Sequence, residues 1–122
     1  LEPGPVIAGD WSAASGYTAT AAIIDAGVTA VFCANDQMAL GLLGGLHEAG
    51  VRVPRDISVV GFDDIPDAAY YWPQLTTVRQ DFAELARRAV AVVIADADAA
   101  ASALRPVAPV LVRRDSVARP RA

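Results

Sequence analysis

Lysine is absent from this 122-residue chain: all 10 basic residues are arginine, set against 14 Asp and Glu, and the net charge is −4. Gripping a phosphate backbone takes a basic surface, so this chain by itself is not expected to hold DNA. Arg113, Arg114, Arg119 and Arg121 fall near the end, where a frayed, solvated tail is expected. A single cysteine, Cys33, leaves no internal partner for a disulfide. It lies in an apolar run, reads as a small buried core residue, and fits a reducing compartment such as the cytoplasm. Every apolar stretch is short for a membrane span. No basic, apolar and small-residue leader opens the chain. The start, Leu1-Glu2-Pro3-Gly4-Pro5, has no initiator methionine and reads as the edge of an internal fragment. Also missing are a Gly-Lys-Ser/Thr phosphate loop, a Gly-x-Ser-x-Gly elbow and any Cys/His ligand spacing. No catalysis, metal or cofactor is therefore expected.

Hydrophobic residues make up 54% of the chain, enough for a packed core in one domain or one lobe of a larger protein. Strand and helix patterns alternate. Val6 to Ala8 reads as a short strand, followed by a helix over about 13–25 with Ser12 or Asp10 as its cap and Gly27 after its end. Thr29 to Ala34 is a β-branched, apolar run of strand length. A helix over 37–49 follows, capped by Asn35 or Asp36, with Met38, Leu42, Leu43 and Leu46 on one face. His47 lies off that face, beside Glu48, and reads as a surface residue. Gly41, Gly44 and Gly45 fall inside this helix and form no phosphate loop. Ile57 to Phe62 is the next strand, the turn-rich stretch 65–73 leads to a strand over 75–79, and Asp81 with Glu84 forms a capping-box start for a helix over 82–96. Residues 96–104 are Ala-rich, and Val107 to Arg113 reads as a last strand. This rhythm predicts an α/β fold with a largely parallel sheet flanked by helices.

Three of these strands end in residues suited to a polyhydroxylated ligand: Asp10-Trp11, Asn35-Asp36 and Asp63-Asp64. In open α/β sheets, ligands sit beyond the carboxyl ends of the strands. Asparagine offers donors and an acceptor, and an ionised aspartate accepts several hydrogen bonds, so together they satisfy adjacent hydroxyls. Trp11 and Phe82 are suited to cover the apolar face of a sugar ring. Taken singly, each of these residues is as well explained as a cap or a core residue, and Asp36 is expected to be a cap. Asp63, Asp64 and Asp67 lack the spacing of a calcium loop and read as a solvated turn.

The runs Ala34-Asn35-Asp36-Gln37-Met38-Ala39-Leu40-Gly41, Asp56 to Asp64 and Leu75-Thr76-Thr77-Val78-Arg79-Gln80-Asp81-Phe82 resemble the lactose/galactose-repressor (LacI/GalR) transcription regulators. Gly9 to Tyr17 and Val112 to Ser116 agree, in order and at matching spacings. The resemblance implies a partial lobe of a type I periplasmic-binding-protein-like, Rossmann-like fold. It implies a sensor whose effector, a sugar, binds between two lobes, and a homodimer that meets operator DNA through a separate N-terminal headpiece. By the same resemblance, Asn35 and Asp63 bond the sugar, Trp11 and Phe82 line or stack on it, and Gln80 lies at the crossover between lobes. Tyr17, Leu40 and Tyr71 match the dimer face.

The departures carry expectations too. Headpiece, N-terminal lobe and the first strand–helix unit of this lobe are expected to be missing. The apolar stripe of the helix over 82–96 then lacks the partner lobe, so exposed hydrophobic surface and self-association or exchange between chains are expected. Gly44-Gly45 costs roughly 1 kcal/mol per glycine against alanine. The Ile24-Asp25-Ala26-Gly27 connection looks shortened. The alternative readings are a periplasmic sugar-binding protein of an uptake system and an enzyme on the same scaffold.

Overall fold

Helices and strands alternate as the apolar periodicity requires. The computed structural model describes residues 3–94 and 105–119. In order they form α1 (Ala13–Thr18), α2 (Thr20–Asp25), β1 (Ala30–Phe32), α3 (Asp36–Glu48), β2 (Ser58–Asp63), a 3-10 turn (Pro66–Tyr70), β3 (Thr76–Arg79), α4 (Phe82–Ile94) and β4 (Val110–Val112). The sheet runs β1-β2-β3-β4, with the first three strands parallel and β4 antiparallel to β3. The expected α/β class and largely parallel sheet are found.

Two elements differ from the sequence reading. Val6 to Ala8 forms no strand: the segment faces β1 only across an apolar groove, outside its ladder, and Val6 is fully solvent-exposed. A strand is defined by its partner, and apolar patterning cannot supply one. The helix expected over 13–25 is two helices that break at Ala19. Thr18 Oγ1 donates to the Ala14 carbonyl at 2.9 Å, a back-bond that bends helices. The ends behave as read: Gly27 and Gly50 take φ of +61° and +73° just past α2 and α3, where a side chain would be strained.

The core lies on one face of the sheet. Ala39, Leu42, Leu43 and Leu46 of α3 pack with Ile23, Val59, Leu75, Ala68 and Tyr71. Helix α3 sits close against α1 because glycines face backbone at the crossing. A Cβ on Gly16 would lie 2.0 Å from the Met38 carbonyl oxygen, and one on Gly41 would lie 1.7 Å from that of Ala13. Gly45 is likewise required, since a Cβ there would meet Thr20 Oγ1 at 2.1 Å, whereas Gly44 faces open space. The two glycines therefore split. Gly44→Ala is expected to raise stability by roughly 0.5–1 kcal/mol, measured by urea unfolding, because it restores helix propensity without contact. A loss there would mean that Gly44 meets something on folding.

Helix α4 begins as read: Asp81 accepts from the Glu84 amide at 2.9 Å. Glu84 does not return the bond and instead pairs with Arg87 and Arg88. No residue of α4 is buried, and Val90, Val93 and Ile94 stand exposed. The expected exposed apolar stripe is present. The end of the expected helix and the Ala-rich stretch 96–104 lie outside the described residues. The chain beyond β4 is not the frayed tail expected there. Ser116 is fully buried: its hydroxyl donates to the Val59 carbonyl and accepts from the Thr76 amide, so the chain beyond β4 laces β2 to β3 and does not fray there.

Candidate functional site

The carboxyl ends of β1, β2 and β3 lie side by side in the sheet, so the residues that follow them share one rim. Asn35 follows β1 and caps α3: its Oδ1 accepts from the Met38 amide at 2.8 Å. Its Nδ2 donates to the Trp11 carbonyl at 2.9 Å, which ties the loop before α1 to the end of β1. That loop is shaped locally. Asp10 Oδ1 accepts from the Ser12 amide at 3.0 Å and from its hydroxyl, which together hold the Asp10 carboxyl below its usual range. Ser12, not Asp10, caps α1. The turn leaves the Trp11 side chain 65% exposed above the rim.

Asp63 closes β2, and its Oδ1 accepts from Gln80 Nε2 at 3.2 Å, across from the end of β3. Phe82 follows two residues later and is half exposed. The structure thus brings Trp11 to Asn35 and Asp63 to Gln80 by direct bonds, with Phe82 at the start of α4. Backbone strain marks the same places. Among the described residues, the non-glycine positions with positive φ are Trp11 (70°), Asp63 (104°) and Asp64 (55°), and all three sit on this rim. Such conformations cost about 1–3 kcal/mol each and gather at ligand sites.

Two acidic residues differ from what their sequence context predicts. Asp36 is not the cap. It is fully buried at the first turn of α3, accepting from the Ile65 amide at 2.9 Å and from Thr77 Oγ1 at 2.6 Å. Burial pushes its carboxyl above the usual aspartate value, although the bonds from Thr77 and Ile65 oppose this. Asp64 is not a solvated turn residue. Its side chain is 5% exposed and clamped by Arg114 at 2.7 Å and Arg79 at 2.6 Å. Burial raises the Asp64 carboxyl, but the bonds and charges of the two arginines outweigh it and hold it below the usual value. Arg114 also donates to the Leu75 carbonyl, so an arginine expected in a frayed tail is part of the fold. Nothing in the spacing of Asp36, Thr77 and Ile65 announces their contact, since they lie on separate elements.

Of the residues matched to a dimer face, Tyr17 and Leu40 are about half exposed on α1 and α3, and Tyr17 donates to the Glu48 carboxylate. That bond raises the Tyr17 hydroxyl. Tyr71 is only 7% exposed and packs in the core, while its neighbours Tyr70 and Trp72 project outward. Cys33 is buried as expected, and its thiol is pushed up to about 12, chiefly by burial. An apolar groove of about 460 Å³ runs between Gly4–Ile7 and the edge of β1, lined by Ile23, Met38 and Leu42. No charged side chain lines it, so it does not match the chemistry of the rim. Among the described residues no three His, Cys, Asp or Glu side chains are grouped to hold a metal ion.

Residues 2–117 match the family described as periplasmic binding protein-like domain. The chain is 50% identical over 84 residues to the lactose operon repressor of Escherichia coli K12, an alignment covering 67% of this chain and 23% of that protein. The lac repressor dimer bound to operator and the anti-inducer ONPF has the same fold, with a TM-score of 0.79 at 39% identity, over 89% of this chain and 39% of the other. A LacI family regulator from Enterococcus faecium with bound ribose follows at 31% identity and a TM-score of 0.72, over 89% of this chain and 41% of the other. The chain therefore spans well under half the length of the relatives it matches.

Proposed function

The chain belongs to the periplasmic binding protein-like domain family, as part of a LacI-type sensor domain, and from that premise we propose that it senses an effector and dimerises within a transcription regulator. The observation that carries this reading is the rim: Asp63 and Asp64 at the end of β2 and Trp11 in the loop that Asn35 ties to the end of β1 are all strained, and Gln80 bonds Asp63. In this reading the effector is a sugar. Asp63 and Gln80 meet its hydroxyls, Trp11 and Phe82 cover its ring, and Asn35 both shapes the Trp11 loop and offers its remaining amide hydrogen. A bound ribose in one neighbour, at 31% identity, supports the sugar class.

Tyr17, Leu40 and the segment around Tyr71 form the dimer face, with Tyr70 and Trp72 supplying the exposed aromatic area that interfaces favour. The stripe of α4 packs on a second lobe or on a partner chain. Operator DNA is met through a separate headpiece, consistent with the charge of −4 here. Effector binding would favour one closure of the lobes and so alter DNA affinity. The regulator works in the cytoplasm, and no helix among the described residues is long and apolar enough to cross a membrane. The relatives are transcription repressors, which favours this reading over an uptake protein or an enzyme.

Light-scattering mass measured over a range of concentrations, with and without ribose and methyl β-galactoside, tests it. The expected result is a dimer whose mass is indifferent to both sugars, because half of a two-lobed pocket holds ligand poorly. A monomer that binds either sugar tightly would overturn the two-lobed reading.

A further inference from the structure

Asp63 and Asp64 stand in a row in a backbone region that residues with side chains seldom occupy, so their shape must be held from outside. Entry to the pair is set by β2, which ends at Asp63. Exit is set by a different element. The Ile65 N–H, the first backbone donor beyond the pair, donates to Asp36 Oδ2 at 2.9 Å. The other oxygen of that carboxylate accepts from Thr77 Oγ1 at 2.6 Å, so one side chain joins α3, the turn and β3. Gly61 makes room for it, since a Cβ there would lie 2.2 Å from Asp36 Oδ1. Gln80, three residues past Thr77 on the same strand end, is the residue that bonds Asp63.

We infer that Asp36 is a positioning residue for the effector site: by gripping the Ile65 amide and the Thr77 hydroxyl together, it sets where Asp63 and Gln80 present their polar atoms. Asp36 itself touches no ligand, being wholly buried. Asn35 does the matching task for Trp11, so two consecutive residues at the start of α3 hold both arms of the rim. The inference deepens the sensor reading and rests on it only for what the rim binds.

NMR and amide exchange on the isotope-labelled chain test it. In Asp36→Ala, exchange of the Ile65 amide is expected to speed up by at least about tenfold. The Asp63 amide and the Gln80 side-chain amide should shift, while the Met38 amide, held by Asn35, keeps its protection. Asp36→Asn restores all three, because its amide oxygen accepts from Ile65 and its NH2 donates to Thr77 Oγ1. A general stabiliser would instead lower protection everywhere and would show no such rescue. Unmoved Asp63 and Gln80 signals in Asp36→Ala, or an Asp36→Asn no closer to wild type than Asp36→Ala, overturn the inference. If Asp36→Ala does not fold, Thr77→Val decides: it keeps the Ile65 grip and should shift Gln80 alone, and an unmoved Gln80 overturns the inference. These readouts involve no effector. A chain that passes them yet binds no sugar in any assembly overturns the sensor reading and leaves this one standing.

Discussion

Gly41→Ala is expected to destabilise the chain by roughly 3 kcal/mol or more, a large part of the 5–15 kcal/mol typical of a domain. The added Cβ would lie 1.7 Å from the Ala13 carbonyl oxygen, 2.6 Å from its carbon and 2.8 Å from the Tyr17 nitrogen. All three are backbone atoms, so no rotamer change relieves the clash and α1 must move away from α3. Gly16→Ala meets the Met38 carbonyl from the opposite side and should cost a similar amount. The double variant should cost less than the sum, because one displacement of α1 relieves both clashes. Urea midpoints for the two single variants and the double variant give the measurement. A Gly41→Ala change within about 0.5 kcal/mol of wild type would show that the helices do not cross at backbone contact. Because Ser12 caps α1 and Trp11 precedes it, the same displacement should also alter the Trp11 arm of the rim.

Removing the Asp64 carboxylate is the other large loss. Asp64→Asn should destabilise by about 3 kcal/mol at neutral pH, because Arg114, itself 13% exposed, is left with a charge it cannot return to water. Arg79 is more than half exposed and loses little. Asparagine is the variant to use, since it tolerates the left-handed backbone of position 64 better than alanine. The acid limb gives a second reading. The Asp64 carboxyl is held below the ordinary 3.8, so its stabilisation is present above that value and fades as pH falls through the depressed one. Wild type and Asp64→Asn should therefore converge in stability below pH 3.8. Asp36 acts with the opposite sign. Its raised carboxyl contributes stability below 3.8 that is lost as pH rises through the raised value, so it softens the acid loss without reversing the comparison. A gap between the two proteins that stays constant down the acid limb would mean that the fold does not hold the Asp64 carboxyl below its ordinary value.

The pattern of apolar residues located most of the elements. α3 is legible because Leu42, Leu43 and Leu46 recur at helical spacing between a capping Asn35 and a closing Gly50. β2 is legible as a buried apolar run, and α4 as an amphipathic stripe with an acidic start. The break at Ala19 is not legible, because the apolar pattern runs through it and does not report the bond from the Thr18 hydroxyl to the Ala14 carbonyl. The strand expected at Val6 fails for a related reason: pairing is a property of two segments, and only one of them is written in any local run.

The candidate site divides in the same way. Asn35 and Asp63 are visible in the sequence because residues that follow successive strands of a parallel sheet emerge on one edge, Trp11 and Phe82 because they are aromatics suited to a ring, and Gln80 only through the family resemblance. Their residue types then point to hydroxyl recognition. The supports beneath them, Asp36 with Ile65 and Thr77, and Asp64 with Arg79 and Arg114, join positions up to 50 residues apart. Periodicity reports only which face a residue occupies within its own element. By itself the sequence determined the class of fold, the order of its elements from β1 to β3 and α4, and the residue types that reach the rim. Tertiary structure alone decided which acidic groups are buried and what neutralises them, because burial and pairing arise where separate elements meet.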